Sequence, residues 1–228
     1  MLETLSIVDA LRSEMQGQIL KGSIPPGTAL AEVSVAQMFD VARPTAKAAI
    51  EQLVHLGLLR RLRNKTASVP LLNAADVADL YVSRAVVENA VVHLLAERGD
   101  VPSGAVEALD RFRAVIGHSA KVAELVESDI DFHRALAAAT GSPRLRRLHE
   151  LVIGEAHLCM AQVQLRHLLH PQVIADEHAR VLAMIGARDA DQAKCEMDAH
   201  ISRARRGLVA HLQRQQAGAV SGQRAEDE

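Results

Sequence analysis

The chain has 228 residues, 49% of them hydrophobic, 24% charged and only 2% aromatic, with a formal net charge of −2. That length allows one large domain or two modest ones, and an Ala, Leu and Val composition whose only aromatics are Phe39, Tyr81, Phe112 and Phe132 suits an aliphatic helical core and argues against base stacking as a binding mode. Cys159 and Cys195 have no close spacing and no apolar run matches a signal peptide or membrane span, so a reducing cytoplasm is the expected compartment.

Ile7, Leu11, Met15, Ile19 and Leu20 form the inner face of an opening helix that stops at Gly22 and Pro25-Pro26-Gly27. A membrane anchor would need more charge of one sign than Arg12, Glu14 and Lys21 supply. Val33, Val35, Ala36 and Phe39 then put an apolar stripe on a short second helix, and Asp40 with Val41 supplies a turn. Pro44 fits the first turn of the next helix, whose period runs through Ala46, Ala49, Ile50, Leu53, Val54 and Leu56 until Gly57 ends it. Two short β-prone runs between Leu58 and Val69, flanking Asn64-Lys65, read as a hairpin.

Two helices joined this tightly and followed by a basic hairpin have the layout of a winged helix-turn-helix. Between Arg43 and Lys65 the cations Arg43, Lys47, Arg60, Arg61, Arg63 and Lys65 face one anion, Glu51, a local balance of +5 in a chain of −2. Arg43 and Lys47 lie one turn apart near the start of the recognition helix, with Thr45 between them, and are candidates for reading bases. The four cations of the hairpin suit phosphates.

Pro70 to Asn73 reads as a linker, with the domain boundary near Leu71, so the expected domains are 1–70 and 74–213, followed by a disordered tail over 214–228. The second domain is all-helical: Ala74–Arg98, Ser103–Ile116, Val122–Thr140, Pro143–Leu168, Pro171–Ile185 and Ala190–Gln213. The fold class is therefore mainly α, a winged helix-turn-helix with a small β wing joined to a helical bundle.

Arg84 interrupts the apolar stripe of the first bundle helix. A buried arginine requires an anion, which is either Glu88 four residues on or the carboxylate of a ligand. Asp129 and His133, four apart, project from one helix face and can share a metal ion. His178 and His200 lie in the last two helices among apolar neighbours, so three helices offer these four groups to one interior. By spacing alone this is a weak pattern in a chain with eleven histidines. Of the other eight, His149 and His157 are the ones placed to line a pocket. Arg144, Arg146 and Arg147 read as a solvated face, and Arg203, Arg205 and Arg206 as complements to the dipole at the end of the last helix.

Leu11, Arg12, Ile19, Leu20, Gly22, Pro26-Gly27, Leu30 and Glu32 stand in the order of the GntR family of bacterial transcription regulators, whose DNA-binding domain residues 7–69 resemble. The family's recognition helix usually reads Ser-Arg-x-Pro-Val-Arg-Glu-Ala-Leu. Here Ala42 loses the capping hydroxyl unless Thr45 substitutes, Lys47 replaces the second arginine, and Thr66 stands where the wing usually has glycine. Residues 74–213 resemble the FCD effector domain of the FadR subfamily. Its metal-binding members carry an Asp-x-x-x-His and two later histidines, in contexts that here read Asp129-Ile-Asp-Phe-His133, Asp176-Glu-His178 and Met197-Asp-Ala-His200.

The resemblance implies a homodimeric, ligand-responsive regulator, a repressor, that binds double-stranded operator DNA. It implies a divalent ion of the zinc, nickel or manganese class on Asp129, His133, His178 and His200, and Arg84 gripping a small carboxylate effector. Fatty acyl thioesters are not expected, since the member that binds them lacks the metal set. Two other readings stay open: a metal sensor in which Arg84 merely pairs with Glu88, and a metal-dependent hydrolase, which would lack a further general base and leave the winged helix unexplained.

Overall fold

In the computed structural model the chain divides into two units, Met1–Leu71 and Leu72–Glu228. The structure describes residues 6–63, 65–117, 122–163 and 170–226, without the side chains of 117 and 218–226.

The first unit is built on α1 (Ile7–Leu20), α2 (Glu32–Met38) and α3 (Arg43–His55), with β1 (Ala29–Leu30) and β2 (Ala67–Ser68). Ser6 caps α1 by accepting from the Asp9 amide, and Leu11, Met15 and Ile19 turn inward against α3. The inward face of α3 is Ala46, Ala49, Ile50 and Leu53, each fully buried. On α2 the expected four-residue stripe is corrected to Val35 alone. Val33 is exposed, and Ala36 and Phe39 are half-buried, because a helix of seven residues has room for one inward position.

Two left-handed residues shape the motif. Asp40 (φ 48°) makes the turn between α2 and α3, a conformation that a short polar side chain tolerates. Gly57 (φ 71°) ends α3, and the amide of Leu58 reaches back to the carbonyl of Leu53. The wing differs from a simple hairpin. β2 pairs antiparallel with β1, Ala29 opposite Ser68, and bridges on its other side to Arg60. The two-residue β1 escapes a pattern reading because it is too short to alternate, and Asn64 of the expected turn lies outside the described residues.

The second unit contains α4 (Ala74–Arg98), α5 (Ser103–Gly117), α6 (Val122–Ala139), α7 (Pro143–Gln162), α8 (Pro171–Gly186) and α9 (Ala190–Glu226). α4 has strong stops: Asn73 and Asp76 cap each other's backbone at one end, and Gly99 (φ 71°) closes the other. α4 packs against α6, α7, α8 and α9, and α5 lies against α6 and α8. The core is aliphatic, with Phe112 and Phe132 as its large aromatics besides Tyr81.

α7 ends at Gln162; the expected end at Leu168 lies outside the described residues. α9 continues to Glu226 rather than stopping at Gln213, so 214–226 is helical where a disordered tail is expected. The Gln, Ala and Arg of this stretch are compatible with helix, and only 227–228 of that tail lie outside the described residues.

Ala42 has the extended backbone of a helix N-cap (φ −63°, ψ 142°) but no side chain to cap with, and among the described residues no side-chain cap bond is made there. Ala42→Ser should therefore stabilise the first unit by about 1 kcal/mol. Scanning calorimetry of the full chain should show that unit melting roughly 4–8 °C higher; an unchanged transition would show that the open cap costs nothing.

Candidate functional site

Two sets of residues stand out, one in each unit. In the first unit the N-terminal turn of α3 presents Arg43 and Lys47, both exposed, with Thr45 half-buried between them. Arg43 donates to Glu32 at 3.2 Å, and Arg61 pairs with Glu51 on α3. A groove between α2, the start of α3 and the wing is lined by Glu32, Arg43, Arg61, Lys65 and Thr66. Arg43, Arg61 and Lys65 thus share one cleft. Lys47, Arg60 and Arg63 are exposed outside it. Glu32 on the neighbouring helix and Glu51 on α3 itself are partners for the arginines that the sequence pattern does not announce.

In the second unit α6 supplies Asp129 and His133, α8 His178 and α9 His200, all buried. One donor atom from each lies within 4.8 Å of all the others. The three imidazole centroids are 4.8 to 5.2 Å apart. Three imidazoles and a carboxylate at this separation are a donor set for a divalent ion with room for further ligands.

Behind this group stand two carboxylates. The Nδ1 of His133 contacts Glu88, whose other oxygen accepts from Arg84 Nε at 2.5 Å. The Nδ1 of His200 lies 2.8 Å from Glu177, which also accepts from Arg203 Nε at 2.7 Å and from Arg203 Nη2. With Nδ1 engaged, Nε2 is the nitrogen each ring has left for a metal. His178 has no such carboxylate. Its ring stacks face to face on Phe132 at 3.8 Å, and its Nε2 lies 3.3 Å from an Asp129 oxygen.

Burial opposes ionisation of Glu88, but the Arg84 guanidinium and the His133 ring outweigh it and hold the carboxyl well below the usual range. Glu177 shows the same balance, its hydrogen bonds from Arg203 and His200 drawing it down to about 2. Burial depresses His178, and depresses His200 despite the bond from Glu177 that opposes it. Burial thus favours the neutral form of His178 and His200, the form in which imidazole binds a metal. Buried atoms without a hydrogen-bond partner include His133 Nε2, both nitrogens of His178, Arg84 Nη2 and the Tyr81 hydroxyl. Unpartnered buried polar atoms are rare in proteins, and a water, an ion or a ligand can supply the missing partner.

Arg84 Nε pairs with Glu88, its guanidinium lies over the Tyr81 ring, and its Nη2 is buried without a hydrogen-bond partner. Three site residues were not assigned from the sequence. The sequence points to Glu88 only as a partner of Arg84 and gives no sign of a role for Glu177, adjacent to His178. Arg203 is corrected from a helix-end cation to the partner of Glu177, since α9 continues more than six turns past it. Its signal was its spacing, three residues after His200 on the same helix face. His149 and His157 are buried, whereas His118 and His167 lie outside the described residues.

The FCD domain family matches residues 79–203, and the family described as bacterial regulatory proteins, gntR family, matches residues 6–69. The chain is 23% identical to the uncharacterized HTH-type transcriptional regulator YdhC of Bacillus subtilis (strain 168), over 83% of this chain and 85% of that protein. It is 24% identical to the HTH-type transcriptional repressor NanR of Klebsiella aerogenes, over 85% and 82% of the two chains. In fold it is similar to a transcriptional regulator GntR from Rhodococcus sp. RHA1, with a TM-score of 0.73 at 24% identity over 90% of this chain and 99% of the other. Among the described residues no helix is long and apolar enough to cross a membrane.

Burial also pushes His149 and His157 down to about 4 from 6.5. In the unfolded chain each ring regains its ordinary value, so on acidification the unfolded state takes up protons first. Stability present above about pH 6.5 is then lost as pH falls towards 4, at up to roughly 1.4 kcal/mol per pH unit for each ring. Urea unfolding of metal-free protein across this range should show the loss, and His157→Gln should reduce the slope by about one proton; an unchanged slope would mean that His157 is already protonated in the fold.

Proposed function

The chain belongs to the gntR family of bacterial regulatory proteins, with an FCD domain after its DNA-binding domain, and from that premise we propose that it is a metal-dependent, carboxylate-responsive repressor that acts as a homodimer. It is a DNA-binding transcription regulator and not an enzyme, as the two families and the named relatives are. The finer reading rests above all on one observation, the convergence of Asp129, His133, His178 and His200 with carboxylates on two of the rings.

On the DNA side, Arg43 is suited to grip a guanine edge with two parallel bonds, and Lys47 to act as a point charge beside it. Arg60, Arg61, Arg63 and Lys65 serve phosphates, and Thr45 supports the contact from the same helix. A two-fold dimer matches an inverted repeat in the operator. The name of the Klebsiella relative favours repression.

In the bundle, Asp129, His133, His178 and His200 hold one divalent ion of the zinc, nickel or manganese class. When bound, the ion supplies a Lewis-acid centre with open positions for a ligand oxygen. Glu88 and Glu177 orient His133 and His200 for it, and Phe132 orients His178. Arg84, with Nη2 free, takes the ligand's carboxylate. That free nitrogen favours an organic effector over a sensor of metal alone, in which Arg84 would be fully occupied by Glu88. The effector shifts operator affinity only by its differential affinity for the two states, typically about 5 to 150-fold, and reciprocity makes operator weaken the effector equally.

Arg43→Ala should cost about 1–3 kcal/mol on operator DNA and little on random DNA, read by binding assays at fixed salt. Equal losses on both would remove Arg43 from base reading.

Zinc titrated into metal-free wild type should raise the melting temperature, and Asp129→Ala or His200→Ala should abolish both the uptake and the rise. Glu177→Gln should weaken uptake by roughly 10 to 100-fold while the fold persists. If elemental analysis and thermal shift detect no metal in wild type, the site is wrong.

A further inference from the structure

At its tip the wing carries a large apolar side chain among cations. Arg60 and Ser68 exchange both of their backbone hydrogen bonds, at 2.9 and 3.0 Å, and close the base of the wing. Beyond that base the Lys65 amide donates to the Leu62 carbonyl at 3.0 Å, which makes the tip a tight turn. Leu62, Arg63, Lys65 and Thr66 are exposed there, Leu62 by 66%. A single exposed leucine is ordinary on a protein surface. This one stands between Arg61 and Arg63, with Lys65 three residues on, so a partner that covers it meets three positive charges at once. Duplex DNA supplies both the apolar surface and the negative charge.

The wing is tied to α3 by the ion pair of Arg61 with Glu51, which lies two helical turns along from Arg43. That separation is about 12 Å of helix axis. With α3 filling the major groove, as proposed above, a tip anchored that far along stands at the flank, and the next groove of the duplex is the minor one. The minor groove is about 6 Å wide, too narrow for a helix but open to an apolar side chain on a tight turn. Cations are drawn to it where A·T pairs narrow it and strengthen its negative potential. Its floor shows only acceptors at A·T pairs, whereas a G·C pair adds the guanine 2-amino donor. Leu62 has no acceptor to offer. A guanine beside it would lose its amine's hydrogen bonds to water and gain none in return.

We infer that Leu62 is a second sequence-reading residue, which packs in the minor groove flanking the α3 contacts and selects A·T over G·C pairs there. The inference rests on the DNA-binding reading above and adds a contact in the groove that Arg43 and Lys47 do not read. Arg63 and Lys65 hold the tip against the flanking phosphates. The contact of Leu62 is apolar, so it contributes selectivity without adding to the salt dependence that the cations set.

The test starts from an operator selected out of random-sequence duplexes by the full-length protein. The pairs flanking the selected half-site are then set in turn to A·T, inosine·cytosine and G·C. Inosine·cytosine keeps the major-groove face of G·C and lacks the 2-amino group. Wild type should bind the A·T and inosine·cytosine forms alike and the G·C form roughly tenfold more weakly. Leu62→Ala should weaken the A·T form by roughly 3 to 10-fold and bring all three forms within about twofold, at an unchanged salt slope. Leu62→Met, which keeps an apolar side chain of similar size, should retain the wild-type pattern. A Leu62→Ala protein that still discriminates as wild type does overturns the inference. So does a wild type indifferent to the three forms, or a G·C penalty that inosine·cytosine shares, since that penalty would be read in the major groove. A salt slope that falls in Leu62→Ala overturns it too, because phosphate contacts rather than an apolar one would then have been lost. If selection recovers no preferred sequence, the DNA-reading assignment itself fails and takes the inference with it.

Discussion

Burying a carboxylate inside an aliphatic bundle is costly unless it is neutralised and hydrogen-bonded, and Glu88 and Glu177 are compensated in the same way. Each stands between an arginine and an imidazole: Arg84 and His133 in one case, Arg203 and His200 in the other. The arginine keeps the carboxylate ionised. The ionised carboxylate then holds Nδ1–H of the ring and fixes which nitrogen turns inward. The same contacts tie α4 to α6 and α8 to α9, so the chemistry of the site and the packing of four helices depend on two side chains.

The third ring is held differently. His178 has no carboxylate behind it and lies flat on Phe132, so its plane is set by stacking while both nitrogens remain without partners. Two rings arrive with their tautomer chosen and one without. A bound ion would choose the last, so the site combines two rigid donors with one that adapts through its proton alone.

How much of this was legible in the sequence follows from the range of the forces involved. The ends of α4 were readable because Asn73, Asp76 and Gly99 act within one turn of themselves. Asp129 and His133 were readable as a pair because helix geometry places residues four apart on one face. Val33 was misread because seven residues of α2 cannot bury two flanks. The strand Ala29–Leu30 was missed because it exists only by pairing with residues almost forty positions away. Glu88 behind His133 and Glu177 behind His200 belong to the same class. Their roles arise between helices, where no local spacing announces them.

The ion pair between Arg43 and Glu32 has a kinetic consequence. A regulator must reject an enormous excess of wrong sequence before it meets its operator, and phosphate attraction alone would hold it on every stretch. With Arg43 engaged by Glu32 and Arg61 by Glu51, two cations of the reading face are already partly satisfied. On the proposed roles, phosphates of any sequence would compete for Arg61, whereas only a correctly placed guanine edge would draw Arg43 from Glu32. If Arg43 reads a base as proposed, the glutamate beside it would loosen its hold on wrong sequence and so shorten the search along a genome.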